Sequence, residues 1–476
     1  LFEDGLNMEI TQQDSTMTPP PPSAPHPYAF PMPVSRVFEN GLTVFVVEDH
    51  RLPAVTFALE ILAGNCAVPP SKSGLPSVTA GLLREGAGEH SSPEISELVD
   101  GCGGSMGASA GDDVTTAGGT FMKSYAELGL ELLADIVLRP RFDQHEIDRR
   151  MEQIQSGLAV NMNDPSYLVS LVSPRIILGD HPYAYPGDGT PETIASLTRE
   201  DIVGFWRQHY LPQATWVTVS GDVTIEEGFA MAERAFGGWK GTAAAGLVLP
   251  PPAPRERKVL IVDMPQTVQT QIVIGQTGIP RNHPDFLALN VANQIFGGSF
   301  NSRLNMKIRA KEGLTYDASS GFEAKRHAGS FAIGTFTRTE KTAEAVRMIA
   351  DLLDEFKENP ATEEEFAEAK AFLYGSFALA TETSGQVADR VLSAALYGLG
   401  ADYWTNYRAR LDALTIEQVR SAVQRFLEPD KLAIIAVGNA AAFSGELSAY
   451  GPVTVIPQSE LDLAAPGLRK PAPAQS

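Results

Sequence analysis

The chain has 476 residues, 43% of them hydrophobic and 20% charged, enough to build two or more globular domains. Its 37 basic and 58 acidic side chains leave a formal charge of −21, which argues against nucleic acid and anionic membrane surfaces as partners. No apolar run approaches the roughly 18 residues of a membrane-spanning helix, so no membrane span is expected.

The first ten residues, LFEDGLNMEI, carry neither a basic nor an apolar leader region, so no signal peptide is expected within them. Residues 1–33 form a proline-rich arm, TPPPPSAPHPYAFPMP at its centre, disposed to extended conformations and expected to act as a linker or to lie on a partner or the main body. Order begins at Val34, where VFENGLTVFVVED holds an Asn-Gly turn between strand-like runs, and VTFALEILAG gives a further strand. Leu75, Val78 and Leu82 recur at helical spacing with Pro76 in the first turn, and SSPEIS opens a second helix. The glycine-weakened stretch from Gly103 to Phe121 reads as a hairpin or edge strand. Helices follow with Leu128, Leu132 and Ile136 on one face, from Asp143 to about Met162, near Tyr167–Leu178, and from Thr198 to His209, and the strand ATWVTVSG closes this half.

Residues 241–258 are a linker by composition, and after them the pattern repeats. Thr120-Phe121 ahead of a helix matches Thr335-Phe336, and ASLTREDIVGFWRQHYLPQATWVTVSGDV matches DALTIEQVRSAVQRFLEPDKLAIIAVGNA, at a steady offset. The expected organisation is an α+β fold with two homologous domains, each a mainly antiparallel sheet packed with helices. They span 34–240 and 259–456, with a tail at 457–476.

The stretch GGSFNSRLNMKIRAKEGLTYDASS, Gly297 to Ser320, carries the most suggestive chemistry. An N-cap cluster of Ser299, Asn301 and Ser302 precedes a helix with Phe300, Leu304 and Ile308 at four-residue spacing, stopped by Gly313. Arg309 is then expected in the last turn and Tyr316 on the strand that follows. Together they could bind a carbonyl oxygen that becomes an oxyanion; separately they are a helix-end cation and a sheet phenol. The eight histidines show neither HExxH nor HxxEH spacing, GCGGSMG follows a helix rather than a strand, and Cys66 and Cys102 form no CxxC.

NGLTVFVVED, SGLPSVTAGLLREGAG and FGGSFNSRLNMKIRAKEGLTYDAS together resemble the inverted-zinc-motif (inverzincin) peptidases of the pitrilysin/insulinase type, nearest the processing-peptidase branch, over about residues 34–455. Active members read G-L-x-H-x-x-E-H in the second segment. With Gly74-Leu75 fixing the register, those positions fall on Ser77, Ala80 and Gly81, and the third ligand falls near Arg150. None of the four can serve, so the resemblance implies that this chain binds no metal. It also implies that Arg309 and Tyr316, in an intact R-x-x-x-G-L-x-Y, hydrogen-bond the scissile carbonyl. The expected function is the zinc-less subunit of a heterodimeric zinc metallopeptidase, closed like a clamshell on a homologous HxxEH-bearing partner that holds the zinc. The substrate is expected to be a peptide or unfolded protein, bound as an added strand on the partner's sheet edge. The corresponding edge here is Gly107–Asp112. The alternatives are an inert scaffold member, like the core subunits of respiratory complexes, and a peptide-binding homodimer. A periplasmic location is expected, otherwise cytoplasmic; a Cys66–Cys102 disulfide would favour the former.

Overall fold

A computed structural model describes residues 28–242, 247–253 and 256–470. The first six-stranded sheet contains β1 (Val34–Val37), β2 (Thr43–Glu48), β3 (Ala54–Ile61), β4 (Ser105–Ala110), β5 (Thr115–Met122) and β6 (Thr215–Gly221), in the order β1-β2-β6-β3-β5-β4. The second contains β7 (Val259–Asp263), β8 (Gln269–Gly278), β9 (Ala318–Ala324), β10 (Gly329–Arg338), β11 (Ala433–Gly438) and β12 (Val453–Pro457), in the order β12-β7-β11-β8-β10-β9. Five strands correspond one to one. Each core has a single parallel pair, β2 with β6 and β7 with β11, and is otherwise antiparallel. The sixth strand differs: β1 comes from the Asn-Gly hairpin, with Gly41 at φ +88°, and β12 adds in parallel from the chain's end.

The helices expected in the first half form where their apolar spacing places them. Helix α1 (Leu75–Leu82) buries Leu75, Val78 and Leu82, and α2 (Ser92–Gly101) begins in a Ser91/Glu94 capping box. Helix α3 (Ala126–Leu138) buries Leu132 and Ile136, and Leu128 packs partly exposed against the same core. Helix α4 (Gln144–Asn161) is the long, mostly polar one, and α5 (Pro165–Ile177) is capped by Asp164.

The two halves exchange cover. Helix α5, from the first half, packs on β8 and β11 of the second sheet, placing Leu168, Val172 and Ile176 among Val262, Ile435 and Val437. In return, the helix Ser384–Leu396 packs on β3 and β6 of the first sheet, with Ser384 Oγ 3.0 Å from Thr56 Oγ1. Leu461, Leu463 and Leu468 fold back into the cluster that contains α5. The approach of α5 to the second sheet depends on Gly275. A Cβ there would lie 2.6 Å from Ile177 Cδ1 and 2.8 Å from the Phe331 carbonyl oxygen. Gly275→Ala is therefore expected to destabilise the chain by about 2 kcal/mol, because the backbone oxygen cannot yield. A fall in the thermal midpoint without loss of secondary structure would show it.

The tips of the equivalent hairpins β4–β5 and β9–β10 meet between the halves. Lys325 pairs with Asp112 and, at 2.9 Å, with Glu323. Asp113 accepts from the Tyr183 hydroxyl and, at 3.2 Å, from the Arg326 N–H, and the His327 N–H donates to Tyr183 Oη at 3.2 Å. Burial alone would depress the Lys325 ammonium, but Asp112 and Glu323 outweigh it and hold it above its ordinary range.

The arm's described end is not a free linker. Phe30 is buried, Tyr28 meets Phe377 edge-on at 5.8 Å, and Tyr28 Oη donates to the Thr381 carbonyl at 3.1 Å. These contacts tie the arm to an aromatic cluster with Trp404 and Tyr407. Cys66 and Cys102 are both free thiols, buried in separate clusters.

Candidate functional site

Gly297 and Gly298 are required by close approach, not by backbone conformation: a Cβ at 297 would run into Ser320 of β9, and one at 298 would lie 2.7 Å from Asn293 Nδ2. The chain can then turn tightly against β9, where Asn293 Nδ2 donates to the Ser320 carbonyl at 3.0 Å and Ser320 Oγ donates to Asn293 Oδ1 at 2.7 Å. Ser302 caps the next helix by accepting from the Asn305 N–H, while Ser299 Oγ donates to the Gln294 carbonyl at 3.1 Å. The helix differs from the regular one expected. Only Arg303–Asn305 is α-helical, and Met306–Lys311 widens into a π-helix. Phe300 precedes it and is 67% exposed, so it does not join Leu304 and Ile308 in the core. The N–H groups of Gly313, at φ +62°, and Leu314 close back on the carbonyls of Arg309 and Ile308.

Tyr316 is likewise not on the strand; it lies on a bend two residues before β9. The bend is pinned from beneath. Leu314 is buried and its carbonyl accepts from Thr337 Oγ1 at 2.6 Å, and the Asp317 carbonyl accepts from Thr335 Oγ1 at 2.8 Å. With Leu314 and Asp317 fixed to β10 on either side, the Tyr316 ring stands outward, 75% exposed.

Arg309 and Tyr316 are brought together. The guanidinium carbon of Arg309 lies 4.7 Å from the Tyr316 ring centre and 4.7 Å from that of Phe300, so two aromatic rings hold the cation. Among the described residues the Arg309 side chain has no ion pair and donates no hydrogen bond. Its five N–H donors and the Tyr316 hydroxyl are open to a ligand oxygen. Phe300 is the member that sequence reasoning missed; an aromatic residue just ahead of an N-cap was the available signal.

Of the four first-half positions, Gly81 and Arg150 are brought together. A Cβ at Gly81 would lie 3.0 Å from Arg150 Nη2 and 3.1 Å from its Nε, so the guanidinium of α4 packs over the glycine of α1. Arg150 Nε is buried without a hydrogen-bond partner. Ser77 Oγ donates to Asp188 Oδ1 at 3.2 Å, and Ala80 is buried. Zinc needs imidazole, thiolate or carboxylate donors, and here Gly81 faces a guanidinium instead. The residues do not fit the metal. Among the described residues no group of three or more His, Cys, Asp or Glu side chains could hold one. Of the edge Gly107–Asp112, the strand part is β4, which ends at Ala110, and Asp112 is taken by Lys325.

Two homologous sheets that exchange helices, one half without a set of metal donors among the described residues and the other presenting an open Arg–Tyr pair, define a chain built on a duplicated metallopeptidase fold. The chain belongs to the M16, or insulinase, peptidase family. The family's insulinase model matches residues 43–177, and its model described as the M16 inactive domain matches residues 196–373. An uncharacterized zinc protease of Streptomyces coelicolor is 25% identical over 82% of this chain and 86% of its own length. A protein of Helicobacter pylori named a non-peptidase homologue is 23% identical over 83% and 91%. A crystal structure titled as a peptidase M16 inactive domain, from Pseudomonas fluorescens, superposes with a TM-score of 0.81 at 28% identity, covering 85% of this chain and 97% of that one. No helix among the described residues is long and apolar enough to cross a membrane.

Proposed function

We propose that this chain is the zinc-less subunit of a two-subunit peptidase and that it lends Arg309 and Tyr316 to a homologous partner's active site. The observation that carries the reading is the uncommitted Arg309 guanidinium held between Tyr316 and Phe300. A peptide carbonyl oxygen gains charge as its carbon becomes tetrahedral, and charge-assisted N–H and phenolic O–H donors strengthen as that charge grows. The two rings, each 4.7 Å from the guanidinium carbon, hold the group in place beforehand, so little reorganisation is needed. The metal and the attacking water belong to the partner; this chain binds and orients the carbonyl and stabilises the oxyanion.

The chain alone is expected to hold no stoichiometric zinc by elemental analysis and to cleave no peptide. Activity should appear on mixing with a homologue bearing an intact HxxEH. Turnover by the isolated chain would overturn the proposal. A second reading, a peptide-binding subunit without chemistry, is favoured by the non-peptidase name of the Helicobacter relative. Under that reading the mixture binds peptide and leaves it intact.

A further inference from the structure

Three arginines from separate segments gather around two adjacent buried rings, Tyr403 and Trp404. The guanidinium carbon of Arg281, just beyond β8, lies 5.2 Å from the Tyr403 ring centre and 5.8 Å from that of Trp404. That of Arg390, on the helix Ser384–Leu396, lies 4.8 Å from Trp404, and that of Arg410, on the helix Tyr407–Ala413, lies 4.8 Å from Tyr403. The rings are fixed posts: they meet edge-on at 4.8 Å, and Trp404 Nε1 donates to the Arg390 carbonyl at 2.6 Å. Among the described residues none of the three arginines forms an ion pair. Asp389 and Asp402, which adjoin Arg390 and Tyr403 in the chain, are exposed, and Asp402 accepts from Asn406 Nδ2 at 2.7 Å. Burial foremost, with repulsion from Arg281 adding to it, pushes the Arg390 guanidinium below its ordinary range.

What the cluster offers is donors. Arg281 Nη1 and Nη2 each donate to Tyr403 Oη at 3.3 Å, which leaves the Tyr403 O–H to give, and the side chains of Arg390 and Arg410 donate no hydrogen bond among the described residues. The Tyr407 ring stands 5.6 Å from Trp404. Burial foremost pushes its phenol up to about 12, so it keeps its proton, and the hydroxyl has no partner among the described residues. Guanidinium forks and phenols without a matching acceptor suit a guest that is all acceptor, and a planar fork grips two oxygens at once. The geometry points to a binding site for a small oxyanion, of carboxylate or phosphate type, gripped by Arg281 and Arg390 with Tyr407 and Arg410 as further donors. A bound anion would tie the helix that covers the first sheet to the loop after β8, where the Arg281 N–H already donates to the Lys325 carbonyl at 2.8 Å. The site draws nothing from the reading of Arg309 and Tyr316.

The test uses the full chain and isothermal titration calorimetry with sodium phosphate and sodium malonate, at an ionic strength held constant with sodium chloride. Phosphate or malonate is expected to bind saturably at one site per chain and to raise the thermal midpoint as it does so. The tighter of the two identifies phosphate or carboxylate as the natural chemistry. Arg390→Gln should weaken that binding on the order of tenfold, and Tyr407→Phe, which keeps the ring, should weaken it by less. Arg207→Gln, at an exposed arginine of the first half, should leave it unchanged. The midpoint of Arg390→Gln should also stop responding to the anion, a readout that packing of Arg390 on Trp404 alone would not move. Absence of saturable binding by both anions, or binding that Arg390→Gln leaves intact, overturns the proposal. Equal weakening by Arg207→Gln and Arg390→Gln, the mark of general surface charge, overturns it too.

Discussion

Replacing Tyr316 by Phe is expected to slow peptide cleavage by the two-subunit complex on the order of 10²-fold, with the partner's zinc content unchanged. The substitution removes one hydroxyl and keeps the ring on which Arg309 stacks, so the guanidinium stays in place. The loss should appear in kcat, because the hydroxyl's bond to the carbonyl oxygen strengthens only as charge develops. Arg309→Lys should cost about as much despite preserving the charge. An ammonium neither stacks between Phe300 and Tyr316 nor presents a planar fork of donors. The double variant should fall well short of the product of the two losses, since each side chain positions the other. A complex in which Tyr316→Phe cleaves at the unaltered rate would make the phenol a packing residue and remove the chemical role.

Much of this was legible in the sequence, and the misses share a cause. The β1–β2 hairpin, α1 with its buried Leu75, Val78 and Leu82, and the offset repeat rest on local spacing, which one segment records by itself. Arg309 and Tyr316 were found by their interval, yet their setting was not. Whether Met306–Lys311 winds as an α- or a π-helix depends on how Ile308 and Leu314 seat in the second core, and Tyr316 leaves the strand because Thr335 and Thr337, far along the chain, hold its neighbours. The exchange of α5 for the helix Ser384–Leu396 was hidden for the same reason, since an apolar face does not say whose sheet it covers. The residue types at Ser77, Ala80, Gly81 and Arg150, none of them a zinc donor, are plain in the sequence. That Arg150 lies over Gly81 depends on how α4 packs on α1, which neither segment records by itself.

The exchanged helix carries the second large effect. Glu60 points from β3 toward the helix Ser384–Leu396 with its Oε2 enclosed and unpartnered. Burial, with Asp389 on that helix and Asp113 on the β4–β5 turn adding repulsion, pushes its carboxyl up to about 7. Asp389 is also raised, by burial partly offset by Arg390, and burial foremost raises Tyr397, which closes the same helix, with Asp113 and Glu60 adding to it. A raised carboxyl favours the folded state while it is protonated. The folded chain binds more protons than the unfolded one between the ordinary carboxylate value, near 4.5, and about 7, so this contribution is complete below the first and lost as pH climbs through the second. Over that window the loss amounts to about 3 kcal/mol at most. Glu60→Gln keeps the shape and removes the proton, so the variant should match the parent near pH 4.5 and exceed it by up to about 3 kcal/mol at pH 8.5. Denaturant melts of both proteins at the two pH values isolate the effect, because every other titrating group is common to the pair. A stability difference that stays constant from pH 4.5 to 8.5 would show that the Glu60 carboxyl titrates alike in the folded and unfolded chains. A difference that opens with rising pH would show the two halves to be held together best when the acid beneath the exchanged helix keeps its proton.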